Sequence, residues 1–477
     1  MSYGFKFSTR TKLMAGAFAL ILAGVSHASS EQIVGGATLP SVGYVGSNAA
    51  STTNLQFFGS ATGTGVASGS LFGQYAAQPG NPGVAYCLTG SGAGKDVLAG
   101  GTISGNTYSV QNNCAKNTNG VVNGFGADST GLVALGLQRT DLTQPNLAAA
   151  DSPIAASDLS NYQTGHGSTS DWPTQFPVIS GSIAIAFNLN DNTGAQITSS
   201  EVNFTDAQVC SIFSGTVTTW NDASLASAFT LPAGRSIPAN TIEVQYRGDG
   251  SGTSFSFSNH LATVCTGLAH DFETSQNFVG ASPAVTSNFF TAPPSNWTPG
   301  SGNNGVATNV STTANSIGYV ETANVINSGL SLQFADVNST SPVTNFGTAL
   351  TLLPADYVFN NVISGTNASN GQAQLTPISG APSTSCIVLV KPSTYAQPTR
   401  GGLVPTGSYP IVAISYFLGN AQGNLTADLP LTANLANAPY NSTITSGVTT
   451  VGSGKGLAFL TLGTGAFSAT AAGSCLH

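Results

Sequence analysis

The sequence predicts an α/β protein, and three observations carry that prediction. Short apolar runs rich in Val, Ile and Phe alternate with helix-like stretches that have recognisable starts. The 57 Gly and 23 Pro interrupt every stretch long enough to hold coiled-coil heptads. With 41% hydrophobic residues and 24 Phe, the chain can bury a large core.

The elements follow in order. Lys6, Arg10 and Lys12 precede an apolar run from Leu13 to Val25 that ends in Ser26-His27-Ala28. A basic start, a short apolar run and small residues at a cleavage point describe a secretory signal peptide over residues 1–28, with a mature start near Ser29. No later segment offers about 18 uninterrupted apolar residues, so no stable membrane insertion is expected. Leu88 to Phe125 is rich in Gly, Asn and Ser and reads as long loops or hairpins. Val178 to Asn188 reads as a strand. A helix starts at Thr205, whose hydroxyl can cap while Gln208 reaches back, with Val209, Ile212 and Phe213 on one face and Gly215 ending it. Ile242 to Arg247 is a strand, and a helix runs from Ser251 toward Cys265. Ser282 to Thr313 reads as a second loop-rich stretch, before strands at Ser316 to Glu321, Ile387 to Lys391 and Tyr409 to Leu418.

Only 6% of the residues are charged, where soluble domains average about 25%. Removing residues 1–28 takes three cations with it and leaves eight against nineteen acids, a net charge of −11. Nucleic-acid binding needs a Lys/Arg stripe that this chain lacks. All six cysteines survive cleavage into an oxidising compartment. Six cysteines allow 15 connectivities, and loop-closure cost favours sequential neighbours: Cys87–Cys114, Cys210–Cys265 and Cys386–Cys475. No CxxC, HExxH or clustered histidine spacing argues for a metal, and no cofactor is expected.

The most informative segment is Arg247-Gly248-Asp249-Gly250-Ser251-Gly252-Thr253, set between a predicted strand and a predicted helix. Glycines let backbone approach a ligand, Ser251 and Thr253 offer hydroxyls, and helix-start amides point outward with the positive end of the dipole. Arg247 adds a forked cation and is one of four mature arginines, with Arg139, Arg235 and Arg400. That chemistry selects an anion, and the plainer alternative is a strand-to-helix turn capped by Asp249 and Ser251. Two other motifs fail. Ile33-Val34-Gly35-Gly36 looks like an activated serine-protease terminus, but the glycine between Asp249 and Ser251 breaks the matching nucleophile segment. Gly90 to Lys95 resembles a P-loop with Asp96 where Ser or Thr should hold magnesium.

Several segments in order resemble periplasmic phosphate-binding proteins of the PstS type, and their DING-like branch in particular. Gly35-Gly36-Ala37-Thr38-Leu39-Pro40 looks like that family's opening, and Arg247 to Phe255 (RGDGSGTSF) is similar to its phosphate loop. Ala150-Asp151-Ser152-Pro153 and Ser316-Ile317-Gly318-Tyr319-Val320-Glu321 fall in the family's order. The resemblance implies a two-lobed, Venus-flytrap α/β fold with two interlobe crossovers. Residues 29–180 and 405–477 would build one lobe and residues 181–404 the other. It also implies phosphate held by the Thr38 hydroxyl, the Leu39 amide, Ser91, Asp151, Arg247, Ser251, Gly252 and Thr253, with Asp249 orienting Arg247 from behind. The long stretch between Ser91 and Asp151 leaves Asp141 as a rival acceptor. A carboxylate facing the cradle would accept the proton that phosphate carries and sulfate lacks. The implied function is an exported inorganic phosphate-binding protein without turnover, serving an ABC phosphate permease or released as a scavenger. The alternatives are a phosphomonoesterase using the same cradle, and a secreted structural or adhesive protein.

Overall fold

Parallel strands bury both faces and bring their carboxyl ends to one edge, so the residues that follow them are the ones a sheet of this kind offers to a ligand. In the computed structural model, which describes residues 31–47, 56–57, 65–265, 272–278, 293–381, 386–468 and 471–477, that edge is built twice. The expected signal peptide lies outside the described residues.

The strands that position the site are, in chain order, β1 (Gln32–Gly36), β2 (Gln56–Phe57), β3 (Val84–Leu88), β4 (Leu147–Ala150), β5 (Pro173–Asn188), β6 (Glu243–Arg247), β7 (Trp297–Gly300), β8 (Ser316–Glu321) and β9 (Val412–Asn420). The helices are α1 (Ser41–Val45), α2 (Ser91–Ala99), α3 (Asp206–Phe213), α4 (Gly252–Val264) and α5 (Gly302–Thr312). Their hydrogen bonding gives the order β7-β6-β8-β5-β9-β4-β1-β3-β2 within one continuous sheet. One half is β1 with β3 and β4 in parallel, and the other is β6 with β7 and β8 in parallel.

Strand β5 joins the halves. It is 16 residues long and buried throughout except at Asn188. Its first part pairs antiparallel with β9, ending at Ser182↔Val412, and its second part pairs with β8, starting at Ile183↔Glu321. The partner therefore changes between two adjacent residues. At that level the Ile183 amide donates to the Ile411 carbonyl at 2.9 Å, so the two chain crossings run side by side. The result is the two-lobed α/β fold with two crossovers.

The expected strands form as Pro173–Asn188, Glu243–Arg247, Ser316–Glu321, Val388–Val390 and Val412–Asn420. Helix α3 starts at Thr205 with its capping box, in which Thr205 Oγ1 accepts from the Gln208 amide and Gln208 Oε1 from the Thr205 amide. Two expectations need correction. The stretch read as loops or hairpins from Leu88 to Phe125 contains α2 as well as a short hairpin. The stretch from Ser282 to Thr313 contains α5, whose Gly-Asn-Asn-Gly start and Thr-rich end are poor helix formers. Burial of Val306, Ala307 and Val310 overrides that propensity.

The three disulfides are Cys87–Cys114, Cys210–Cys265 and Cys386–Cys475, with Cα separations of 5.8, 5.6 and 5.6 Å. Cys87–Cys114 ties β3 to the segment beyond α2, and Cys210–Cys265 ties α3 to the end of α4. No helix among the described residues is long and apolar enough to cross a membrane.

Candidate functional site

Six strand ends converge. Beyond β1 lie Thr38 and Leu39, beyond β3 lies Ser91, and beyond β4 lies Asp151; from the other half come Arg247 to Thr253 beyond β6, Gly302 and Asn303 beyond β7, and Glu321 at the end of β8. The first turn is fixed by backbone: the Ala37 amide donates to the Ala149 carbonyl at 2.8 Å, and the Tyr86 hydroxyl to the Ala37 carbonyl at 2.6 Å. Helices α2, α4 and α5 begin beside one another at this junction, and the first amides of α5 are taken by Asp249 Oδ1 and Thr38 Oγ1.

Contacts across the halves are close. The Gly92 amide donates to the Gly250 carbonyl at 3.0 Å. A Cβ built on Gly252 would stand 2.3 Å from the Asp151 Cβ, so only glycine lets the α4 start approach Asp151. Gly90 has φ +87° and faces Asp249 Oδ2 at 2.6 Å from where a Cβ would stand, which likewise requires glycine.

Arg247 is the cation of the site and is 2% exposed. Its Nε donates to Asp249 Oδ1 at 2.8 Å, its Nη2 to Asp249 Oδ2 at 2.5 Å, and its Nη1 to Thr253 Oγ1 at 3.2 Å. Burial favours loss of its proton, but the adjoining Asp249 carboxylate, together with Tyr319 and Asp151, outweighs this and raises the guanidinium above its ordinary value. Asp249 is itself held, since Oδ1 also accepts from the Gly302 amide at 3.0 Å.

Asp151 faces Arg247 from the other half and is 1% exposed. The Ser91 hydroxyl donates to its Oδ2 at 3.2 Å and accepts from its backbone amide at 2.9 Å. Its Oδ1 is buried and accepts no well-formed hydrogen bond. Loss of water pushes the carboxyl up to about 7, against the downward pull of the Ser415 hydroxyl, the Arg247 charge, the Ser91 hydroxyl and the Leu39 amide. An acceptor with a spare buried oxygen thus stands opposite a fixed cation. That arrangement can hold an oxyanion that brings its own proton.

Thr38, Leu39, Ser91, Asp151, Arg247, Ser251, Gly252 and Thr253 are all at this junction, and Asp249 orients Arg247. Ser251 caps α4, its Oγ accepting from the Ser254 amide at 3.0 Å. Asp141 lies away from this junction. Its carboxylate accepts from Arg139 Nε and Nη2, both at 2.9 Å, and Arg139 also binds Asp428 and the Glu31 carbonyl at the other end of β1. The sequence reading missed Asn303, Glu321, Tyr319 and Ser415. The Tyr319 hydroxyl accepts from the Arg247 amide at 3.1 Å and shares a 2.7 Å hydrogen bond with Ser254 Oγ. Only the position of Glu321 at the end of a predicted strand could have signalled any of them.

Residues 46–429 match the PBP superfamily domain. Alkaline phosphatase L of Pseudomonas aeruginosa is 26% identical over 266 residues, 56% of each chain. The phosphate-binding protein PstS of Xylella fastidiosa is 32% identical over 189 residues, 39% of this chain and 43% of that one. The chain thus spans about half the length of the curated relatives it matches. Among solved structures, the high-affinity periplasmic phosphate-binding protein PfluDING, bound with phosphate, superposes with a TM-score of 0.51 at 20% identity, covering 91% of both chains. A phosphate-binding protein from Stenotrophomonas maltophilia superposes with a TM-score of 0.50 at 20% identity, over 86% of this chain and 84% of that one. At that identity the superpositions establish the fold, and together with the domain match they mean that this chain belongs to the PBP superfamily.

Proposed function

We propose that this is an exported, DING-like inorganic phosphate-binding protein of the PstS type, acting without turnover as the receptor for an ABC phosphate permease or as a secreted scavenger. The observation that carries the reading is the pairing of buried Arg247 with buried Asp151 across a volume lined by hydroxyls and helix-start amides. Arg247, Ser251, Thr38 and Thr253, with the amides of Leu39 and Gly252, supply donors to a tetrahedral oxyanion, and Ser91 acts through Asp151, to which its hydroxyl proton is donated. Asp151 accepts the one proton that hydrogen phosphate carries and repels an anion without one. The names of the PstS relatives and of PfluDING support the same ligand, and the name of alkaline phosphatase L stands with the phosphomonoesterase alternative.

The lobes are divided at 180/181 and 404/405 in this reading, close to the change of partner along β5. Ligand sits in the cleft between them, and closure removes it from water. Calorimetric titration of the purified protein should give one phosphate site per chain that sulfate does not fill. Equal competition by sulfate would refute the role of Asp151, and absence of phosphate binding would refute the function. Turnover of a chromogenic phosphate ester that disappears in Arg247→Ala would replace binding with phosphomonoester hydrolysis.

A further inference from the structure

We infer that Asn303 sets the hydrogen-bond polarity of the cradle, forcing the Thr38 and Thr253 hydroxyls to act as donors toward the ligand. The inference rests on the phosphate reading above and adds a positioning residue that does not itself hold the ligand. Asn303 is the second residue of α5 and is wholly buried. Its amide orientation is dictated, because Oδ1 accepts from the Glu321 backbone amide at 2.9 Å, and a backbone N–H can only donate. Nδ2 is therefore the atom turned toward the threonines. It donates to Thr38 Oγ1 at 3.2 Å and to Thr253 Oγ1 at 3.1 Å, one proton to each.

Each threonine oxygen receives a second donor. Thr38 Oγ1 also accepts from the Asn303 backbone amide at 3.4 Å, and Thr253 Oγ1 accepts from Arg247 Nη1 at 3.2 Å. A hydroxyl oxygen has two lone pairs, and both are used. What remains to either residue is its O–H proton, which meets no protein acceptor among the described residues and can only be donated to whatever occupies the cleft. A free hydroxyl would sample donor and acceptor orientations and would have to be ordered when ligand arrived. Here the ordering is done beforehand by one buried amide, itself held by the chain turn at the end of β8.

The inference gives Asn303 a role separable from fold and from selectivity. Asn303→Ala should weaken phosphate binding about 10- to 100-fold while the ratio of phosphate to sulfate affinity stays near that of the wild type, since Asp151 is untouched. In a Thr38→Val/Thr253→Val background, where there are no hydroxyls to orient, adding Asn303→Ala should cost less than about threefold. Phosphate and sulfate titrations of these four proteins, with thermal melting in phosphate-free buffer as a folding check, read the result. Asn303→Ser, which keeps a small polar group in the same space, stands in should the alanine variant melt below the assay temperature. An undiminished loss in the background without threonine hydroxyls would overturn the inference, as would wild-type affinity in Asn303→Ala. Wild-type protein that takes up no phosphate overturns the functional reading itself, so the two failures are told apart by the first titration.

Discussion

Asp151→Asn separates affinity from selectivity, because the substitution keeps the shape of the side chain and changes only its charge and donor pattern. The carboxylate presents one buried oxygen with no well-formed hydrogen bond and one that accepts from Ser91, with Arg247 opposite. Toward hydrogen phosphate the amide oxygen can still accept the ligand's proton, so the loss is the difference between a charged and a neutral hydrogen bond, about 1 kcal/mol or roughly fivefold. Toward sulfate the change has the opposite sign. A carboxylate against an oxyanion oxygen is a repulsive contact with no proton between the partners, and replacing it with an N–H donor should gain about 2–3 kcal/mol, roughly 30- to 150-fold. The ratio of phosphate to sulfate affinity should therefore fall by about two to three orders of magnitude. Competition calorimetry at pH 8, where the wild-type carboxyl is above its value of about 7, measures both ligands under one condition. An Asp151→Asn protein that still excludes sulfate would show that selectivity comes from another group, and equal losses for both anions would show that Asp151 merely supports the cleft wall.

Arg247→Ala should cost about 2–5 kcal/mol of phosphate binding, enough to abolish it at micromolar ligand, with Arg247→Lys intermediate because an ammonium cannot make both the fork on Asp249 and the contact with Thr253; a lysine variant of wild-type affinity would show that charge alone suffices. Sulfate binding should emerge as pH falls through about 7, since a protonated Asp151 donates where it previously repelled; the charged and titratable groups around it are Arg247, Glu321, Tyr44 and Tyr86, and discrimination that stays flat between pH 5.5 and 8.5 would refute this. The same upward shift means that the empty fold draws stability from Asp151 fully below its ordinary value of 3.8 and loses it as pH rises through about 7, a slope that Asp151→Asn should remove from melting curves recorded without phosphate. Gly252→Ala should abolish binding and lower the melting temperature, because its Cβ would meet Asp151 at 2.3 Å, whereas Gly250→Ala, with its nearest neighbour at 3.4 Å, should be tolerated in both assays.

What could be read from the sequence follows a physical division. Strands such as Ser316–Glu321 and the Thr205-capped helix were legible because their signals are local: an apolar run in one case, a hydroxyl three residues before a glutamine in the other. Arg247 to Thr253 was legible because chain-neighbouring residues supply cation, glycines, hydroxyls and helix start together. Helix α5 was not, because Gly302-Asn303-Asn304-Gly305 reads as a turn and becomes helix only when Val306 and Val310 are buried against the second lobe. With α5 went Asn303, whose partners Thr38 and Thr253 are 265 and 50 residues away in sequence. Asp141 and Asp151 could not be told apart for a related reason. Which of two aspartates ten residues apart faces a cleft depends on where a strand ends, and β4 ends at Ala150, immediately before Asp151.

The poverty of charge and the construction of the site are two sides of one arrangement. A cleft that recognises a divalent anion with several cations would bind every anion of that charge, and its selectivity would have to be restored by an equal number of opposing groups. In the proposed reading, one guanidinium is balanced by Asp249 behind it and met by Asp151 across the cleft, while the remaining attraction would come from dipoles: the start of α4 and the hydroxyls oriented by Asn303. Dipoles fixed in a dry cleft need no reorganisation when the ligand arrives, and they add little net charge to the empty state. On that reading the side chain that decides between two anions of equal charge is the acceptor. Its effect on that choice is large because so few other charges are close enough to dilute it.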